Sequence, residues 1–257
     1  MAVARCRATA RSRSRPSSPS RWRRSRSRAA ASESVELALS AGPFQLVCWD
    51  LDGTLTDSVR FVVDTANLVI ARRGGAPLEF DVVGRMTGLP LEDIFRLVWP
   101  DLTDEDAVAC RAEYRTIYDE TVIPATRLFD GARDLLRELH AAGLLQATVT
   151  GKRAADCERI LRGLEIEDDI DLYLGGDSVP PDRHKPAPDL VRLAMDRLGV
   201  PAARTAVVGD TRTDMRMGRA AGARTIQVLW GYERLPVPEA DLVVATWQEL
   251  RARILTG

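Results

Sequence analysis

From Phe129 to Ile254 apolar runs of strand length alternate with amphipathic helical stretches. That alternation predicts an α/β fold, a doubly wound parallel sheet of the Rossmann-like kind. Two further observations point the same way. The polar loops that carry chemistry all follow apolar runs, and such sheets bind ligands at the carboxyl ends of their strands. The stretch Ser58–Arg127 shows helical spacing and no convincing strand, so it reads as a small α-helical domain inserted directly after the first strand. The expected division is residues 1–43 as an extension, 44–57 with 128–257 as the α/β core, and 58–127 as the insertion.

Residues 1–43 hold ten Arg and two acids, Glu33 and Glu36, with Arg-Ser alternation over Arg11–Arg28. They have no periodic apolar pattern and cannot bury enough surface to fold. A basic arm for nucleic acid or anionic lipid, a transit peptide and a dispensable extension, even a start codon placed too far upstream, are the three readings. The last is favoured, because the body needs nothing from the segment.

The elements follow in order. Gln45–Leu51 is a buried strand. Val59, Val62, Val63, Ala66, Val69 and Ile70 recur at helical spacing between Asp57 and Arg73, and Gly74, Gly75 and Pro77 stop that helix. Leu91–Trp99 and Asp104–Thr121 are two more helices. Ala132–Ala142 is a helix closed by Gly143, and Leu144–Val149 a strand. Helix Ala154–Leu164 and strand Ile170–Leu174 precede a loop braced by Pro180, Pro181, Pro186 and Pro188. Helix Asp189–Leu198, strand Thr205–Val208, helix Thr213–Ala221, strands Thr225–Leu229 and Leu242–Val244, and helix Trp247–Ile254 complete the chain.

Composition narrows the function. The 257 residues carry a formal net charge of −1, but outside residues 1–43 there are 26 basic and 35 acidic residues, a net of −9. An acidic body argues against a general nucleic-acid surface, leaving only the Arg-rich segment for that purpose. No apolar run approaches bilayer-spanning length. The four cysteines, Cys6, Cys48, Cys110 and Cys157, lack metal-binding spacing, and a reducing, cytoplasmic setting is expected. Only two lysines, Lys152 and Lys185, stand against 34 arginines. A Lys that persists in such a chain suggests a need for a compact ammonium rather than a planar fork.

The chemistry centres on Asp50-Leu51-Asp52-Gly53-Thr54. Residues i and i+2 of a strand project to one side, so a strand ending Asp-x-Asp can aim both carboxylates at one point. Gly53 allows a sharp turn and a close approach of backbone N–H groups. Two aligned carboxylates repel, and Mg²⁺ takes oxygen ligands of this kind. One carboxylate can then attack phosphorus while the other handles a proton. Thr150-Gly151 ends another strand; alone it reads as a plain turn, although a hydroxyl with nearby N–H groups makes an anion cradle. Lys185 is a loop cation able to pair with a phosphate and with Asp50. Asp210 and Asp214 sit four apart where a strand gives way to a helix. Asp210 is placed to bind a cation directly, and Asp214 to hold a metal-bound water or orient Lys185; N-capping is the ordinary alternative.

Asp-x-Asp, Thr, Lys and Asp-x-x-x-Asp in that order, each beyond a strand, form a specific set. Through Asp50–Thr54, Thr150, Lys185-Pro186-Ala187-Pro188-Asp189 and Gly209-Asp210 with Asp214, the chain resembles the haloacid dehalogenase superfamily of phosphohydrolases. The resemblance covers Gln45 to Ile254 and makes the insertion a small helical cap. Gly175-Gly176-Asp177-Ser178-Val179 leading to Lys185-Pro186, with Gly88-Leu89-Pro90-Leu91, is most similar to the phosphoglycolate phosphatase branch. Gly151 departs from the Asn that many relatives carry there; the backbone N–H survives and the side-chain contact is lost.

The resemblance implies a Mg²⁺-dependent phosphatase working through an aspartyl-phosphate. It makes Asp50 the nucleophile and Asp52 the proton donor and base. The metal set is Asp50, the Asp52 carbonyl and Asp210, with Asp214 beside it. Gly53, Thr54, Thr150, Gly151 and Lys185 are assigned to the phosphoryl group, and Arg85, Thr87 and Gly88 to the substrate from the cap. The expected partner is a small phosphorylated metabolite, with 2-phosphoglycolate leading and a sugar phosphate, nucleotide or pyrophosphate as alternatives. A phosphomutase is a further option, and a nucleic-acid-binding protein using the Arg-rich segment is the reading from a different class. A monomer or homodimer with no membrane contact is expected.

Overall fold

The computed structural model describes residues 42–85 and 91–256. Six parallel strands form the main sheet: β1 (Leu46–Trp49), β4 (Leu145–Val149), β5 (Leu172–Leu174), β6 (Thr205–Gly209), β7 (Arg224–Val228) and β8 (Leu242–Val244), in spatial order β5-β4-β1-β6-β7-β8. β1 lies at the centre, with Leu46 opposite both Leu145 and Thr205 and Trp49 opposite Thr148 and Val208. The chain first builds outward on one side of β1 and then crosses to the other. The crevice at that reversal is where a doubly wound sheet takes its ligand.

A central parallel strand is buried on both faces, and β1 reads as an uninterrupted apolar run for that reason. Its side chains alternate. Val47 and Trp49 pack in one core with α5 (Ala132–Ala141), α6 (Ala154–Gly163) and α9 (Trp247–Thr256), through residues such as Leu136, Ile160 and Leu250. Leu46 and Cys48 pack in the other with α7 (Asp189–Leu198) and α8 (Arg212–Ala221), through Leu190, Ala194 and Met217. Polar residues inside this layer are hydrogen-bonded. The Trp49 indole donates to Gln146 Oε1 at 3.0 Å, and the Gln146 amide donates to the carbonyls of Leu136 and Asp169. A single side chain thereby ties β1, β4 and α5 together.

The helical insertion comprises α1 (Val59–Arg72), α2 (Phe80–Arg85), α3 (Leu91–Val98) and α4 (Asp104–Ala125). It leaves the core through β2 (Thr56–Asp57) and returns through β3 (Arg127–Leu128), two short antiparallel strands with Thr56 opposite Leu128. Several boundaries differ from the sequence reading. The first strand stops at Trp49, because Leu51–Thr56 folds into a turn held by the Leu51 carbonyl, which accepts from Thr54, Leu55 and Thr56 N–H and from the Thr56 hydroxyl. The first helix of the insertion begins at Val59 rather than Asp57, since Asp57 is spent on the β2–β3 ladder. Helix α2 and the strand pair had no counterpart in that reading. Among the described residues no helix is long and apolar enough to cross a membrane.

Candidate active site

The turn after β1 carries two carboxylates, Asp50 and Asp52, that line one cavity. Asp50 N–H still donates to Val208 on the neighbouring strand at 2.9 Å, which fixes Asp50 at the strand tip. Asp52 lies two residues into the turn, in a bridge with Thr56. Both carboxylates line one cavity as the Asp-x-Asp spacing suggests, but Asp52 reaches it from the turn rather than from the strand. Gly53 takes φ +82°, and a Cβ there would fall on Asp210 and the Tyr232 ring, so only glycine lets the turn close over Asp210.

Four elements bring a second layer to Asp50. Lys185, in the loop after β5, donates to Asp50 Oδ1 and to Asp214 Oδ1, each at 2.6 Å. Asp214, in the first turn of α8, uses its other oxygen as a capping-box acceptor for Thr211 N–H at 3.1 Å and the Thr211 hydroxyl at 2.6 Å. Asp210, after β6, accepts from the Thr54 hydroxyl at 3.1 Å and from Tyr232 N–H at 2.7 Å. Tyr232 belongs to the loop after β7. That loop is pinned by Gln227, whose amide donates to Glu233 and Leu235 carbonyls and whose oxygen accepts from Val237 N–H. The Trp230 indole, bonding the Thr54 carbonyl at 3.0 Å, presses the loop onto the Asp-x-Asp turn.

Burial and mutual repulsion dominate the electrostatics. Asp50 is pushed up to about 7, by burial first and by Asp214 and Asp52 beyond that, with the Lys185 ammonium pulling the other way. Asp210 is held well above the carboxylate range by burial and by Asp214 and Asp50. For Lys185 burial disfavours the ammonium, but Asp214 and Asp50 outweigh it and keep the group charged. Asp50, Asp210 and Asp214, all buried, offer oxygens within 4.8 Å of one another. Three buried acids share one ammonium and repel one another. An all-oxygen donor set of that charge fits a hard divalent cation such as Mg²⁺.

Thr150 is buried and Gly151 exposed, and both line a cavity of about 140 Å³ with Asp50, Asp52 and Lys185. Val62, Leu91, Ile94 and Tyr114 of the insertion line it as well. The Thr54 side chain does not face this space: it is fully buried and its hydroxyl is spent on Asp210. The Thr54 hydroxyl thus steadies Asp210. Of the cap residues assigned to the substrate, Thr87 and Gly88 lie outside the described residues, as does the side chain of Arg85.

Lys152, Ser58 and the Tyr232 amide were not picked out as site groups from the sequence. Lys152 Nζ lies 2.9 Å from Asp52 Oδ2, and the Ser58 hydroxyl donates to Asp52 Oδ1. Both lysines of the chain thus meet an aspartate of the Asp-x-Asp pair. Their scarcity against arginine was the signal. The Gly175-Gly176-Asp177 motif supports this corner: Asp177 accepts from Ala154 N–H at 2.7 Å, and Gly176 N–H donates to the Lys152 carbonyl at 2.7 Å.

The model of the haloacid dehalogenase-like hydrolases matches residues 47–228. The chain belongs to that family. It is 35% identical over 212 residues to "Probable phosphatase IndB" of Dickeya dadantii, covering 80% of this chain and 91% of that one. It is 32% identical over 195 residues to a phosphoglycolate phosphatase of Nitrosospira multiformis, covering 74% and 85%. Among solved structures, a "predicted phosphoglycolate phosphatase" from Haemophilus somnus superposes with a TM-score of 0.75 over 81% of this chain and 96% of that one; at 22% identity it speaks for the fold. In this hydrolase of the haloacid dehalogenase type, the six-stranded parallel sheet with its flanking helices is the Rossmann-like core.

Proposed function

We propose that this chain is a Mg²⁺-dependent phosphomonoesterase that forms an aspartyl-phosphate on Asp50, with 2-phosphoglycolate the leading substrate. One observation carries the reading: Asp50, buried at the tip of the central strand, opens onto a cavity shared with Thr150, Gly151, Lys185 and a second acid, Asp52. Phosphoryl transfer asks mainly for positioning and charge neutralisation, and these residue types supply both.

In the first half-reaction an Asp50 oxygen attacks phosphorus as the bond to the leaving oxygen breaks, and Asp52 gives that oxygen its proton. Thr150, the Gly151 amide and Lys185 hold the phosphoryl oxygens; Asp214 keeps Lys185 in place. In the second, Asp52 takes a proton from water, the water attacks phosphorus, and the bond to Asp50 breaks. Asp50, Asp210 and the Asp52 carbonyl, with Asp214 alongside, would hold Mg²⁺, which supplies the positive charge that lets two anions meet. The helical cap shields the reaction from bulk water. The phosphatase relatives support the reading, and the buried free thiols of Cys48, Cys110 and Cys157 accord with a cytoplasmic setting.

Purified protein with Mg²⁺ releases phosphate from 2-phosphoglycolate, and Asp50→Asn abolishes the release. Comparing kcat/KM across 2-phosphoglycolate, sugar phosphates, nucleotides and pyrophosphate ranks the substrates. Activity that survives both Asp50→Asn and a metal chelator refutes the mechanism.

A further inference from the structure

Asp52 is gripped at both oxygens by groups that belong to, or answer to, the helical insertion. Ser58, which donates to Oδ1, is the residue immediately before α1. Lys152, at Oδ2, is a core residue, but its ammonium also donates to the Tyr118 hydroxyl on α4 at 2.6 Å. The ammonium is 4.8 Å from the Tyr118 ring centroid, so it meets the hydroxyl end of the ring rather than its face. Lys152 and Asp52 are both largely buried, their side chains 9% and 12% exposed. Tyr118 is 2% exposed and is stacked on Tyr114 and packed against Phe61, so its hydroxyl has a fixed position.

The same face of α4 is fastened to the core on either side of Tyr118. Arg115 reaches the buried Asp156 at 3.2 Å, and Asp119 accepts from Arg153 at 3.2 Å. Residues 115, 118 and 119 share one helix face, and 152, 153 and 156 form one turn of chain at the start of α6. The two surfaces mate through Tyr118–Lys152 at the centre and ion pairs around it. Lys152 therefore stands between the cap and Asp52, ion-paired to Asp52 and hydrogen-bonded to Tyr118.

We propose that Lys152 is a positioning residue for the proton-transferring carboxylate Asp52, and that Tyr118 holds Lys152 to that task only while the helical cap is docked. The inference rests on the phosphatase reading and deepens it. A carboxylate has about four lone-pair sites, so the Ser58 hydrogen bond and the Lys152 ion pair orient Asp52 and still leave room for a leaving oxygen. A compact ammonium with three donors can serve Asp52 and Tyr118 together from one point, which a planar guanidinium cannot do in the same space. Cap closure thereby becomes a condition for proton delivery: with the cap away, Lys152 loses its second anchor and Asp52 its fixed direction.

The test compares first-turnover rates with two donors. 2-Phosphoglycolate expels an alkoxide that needs a proton; p-nitrophenyl phosphate expels a phenolate that does not. With full-length protein and saturating Mg²⁺, Lys152→Met slows the first turnover of 2-phosphoglycolate at least a hundredfold and that of p-nitrophenyl phosphate less than threefold, with KM for 2-phosphoglycolate unchanged. Tyr118→Phe, which keeps the ring and removes the hydroxyl, shows the same asymmetry at about tenfold. An equal fall on both donors, a rise in KM alone, or a Tyr118→Phe enzyme like wild type overturns the proposal. A wild-type protein inactive on every phosphomonoester overturns the phosphatase reading itself, so the two failures are told apart.

Discussion

Asp50 shows how a residue is made reactive by where it sits. Burial holds its proton affinity up, with a pKa of about 7 against an ordinary 3.8, and the nearby Lys185 only partly offsets that. In the metal-free protein the native state binds this proton more tightly than the unfolded chain does. Its contribution to stability is therefore lost as pH rises from about 4 through 7. A divalent cation replaces the proton, so Mg²⁺ should raise Tm more at pH 8 than at pH 5; equal increments at both pH values, by calorimetry, contradict the assignment. Thr54 offers a second check. Its buried hydroxyl serves Asp210, so Thr54→Val should raise the Mg²⁺ concentration needed for half-maximal activity several-fold, while kcat at saturating Mg²⁺ changes little. The residue types named from sequence converge because each follows a strand of one parallel sheet, whose carboxyl ends meet at a single edge. Lys152 was marked out by its rarity but given no place in the site, for a physical reason: its value comes from Asp52, a hundred residues earlier, and from Tyr118 on another element, and no local spacing records such a meeting.

Among the elements, the turns are more constrained than the helices. Gly175 packs so closely on the Lys152–Ala154 backbone that a Cβ there would overlap it. Gly175→Ala should cost about 1–3 kcal/mol, typical of overpacking a tight site, and should lower kcat as well because the displaced turn carries Thr150, Gly151 and Lys152. Urea unfolding and steady-state kinetics on the same preparation check both; a fall in stability with kcat intact would separate the motif from the site. The long helices and central strands were legible because periodicity accumulates over ten residues or five. The β2–β3 pair was not, since two-residue strands show no period, and their pairing is set by Thr56 meeting Leu128 across the whole insertion. Nor was the loop that carries Tyr232, which is shaped by a buried glutamine, Gln227, that reads in sequence as an ordinary strand residue.

For the molecule as a whole, charge is distributed unequally. The acidic body contains every group assigned to the chemistry, and the ten arginines before Gly42 contribute none of them. Removing residues 1–41, which stops short of the half-buried Gly42 and Pro43, should leave kcat/KM within about twofold and Tm nearly unchanged. Loss of phosphatase activity on truncation would restore a role for that segment. The side-by-side strands through which the chain leaves and re-enters the sheet have a consequence for evolution as well. They form a socket of fixed, narrow gauge, and any helical bundle whose two ends lie that close can be plugged into it without disturbing the strands behind. Selectivity can then be rewritten in the plug-in module while the reacting groups stay untouched. Tyr118 is the exception, the one contact a replacement module would have to reproduce to keep Lys152 engaged.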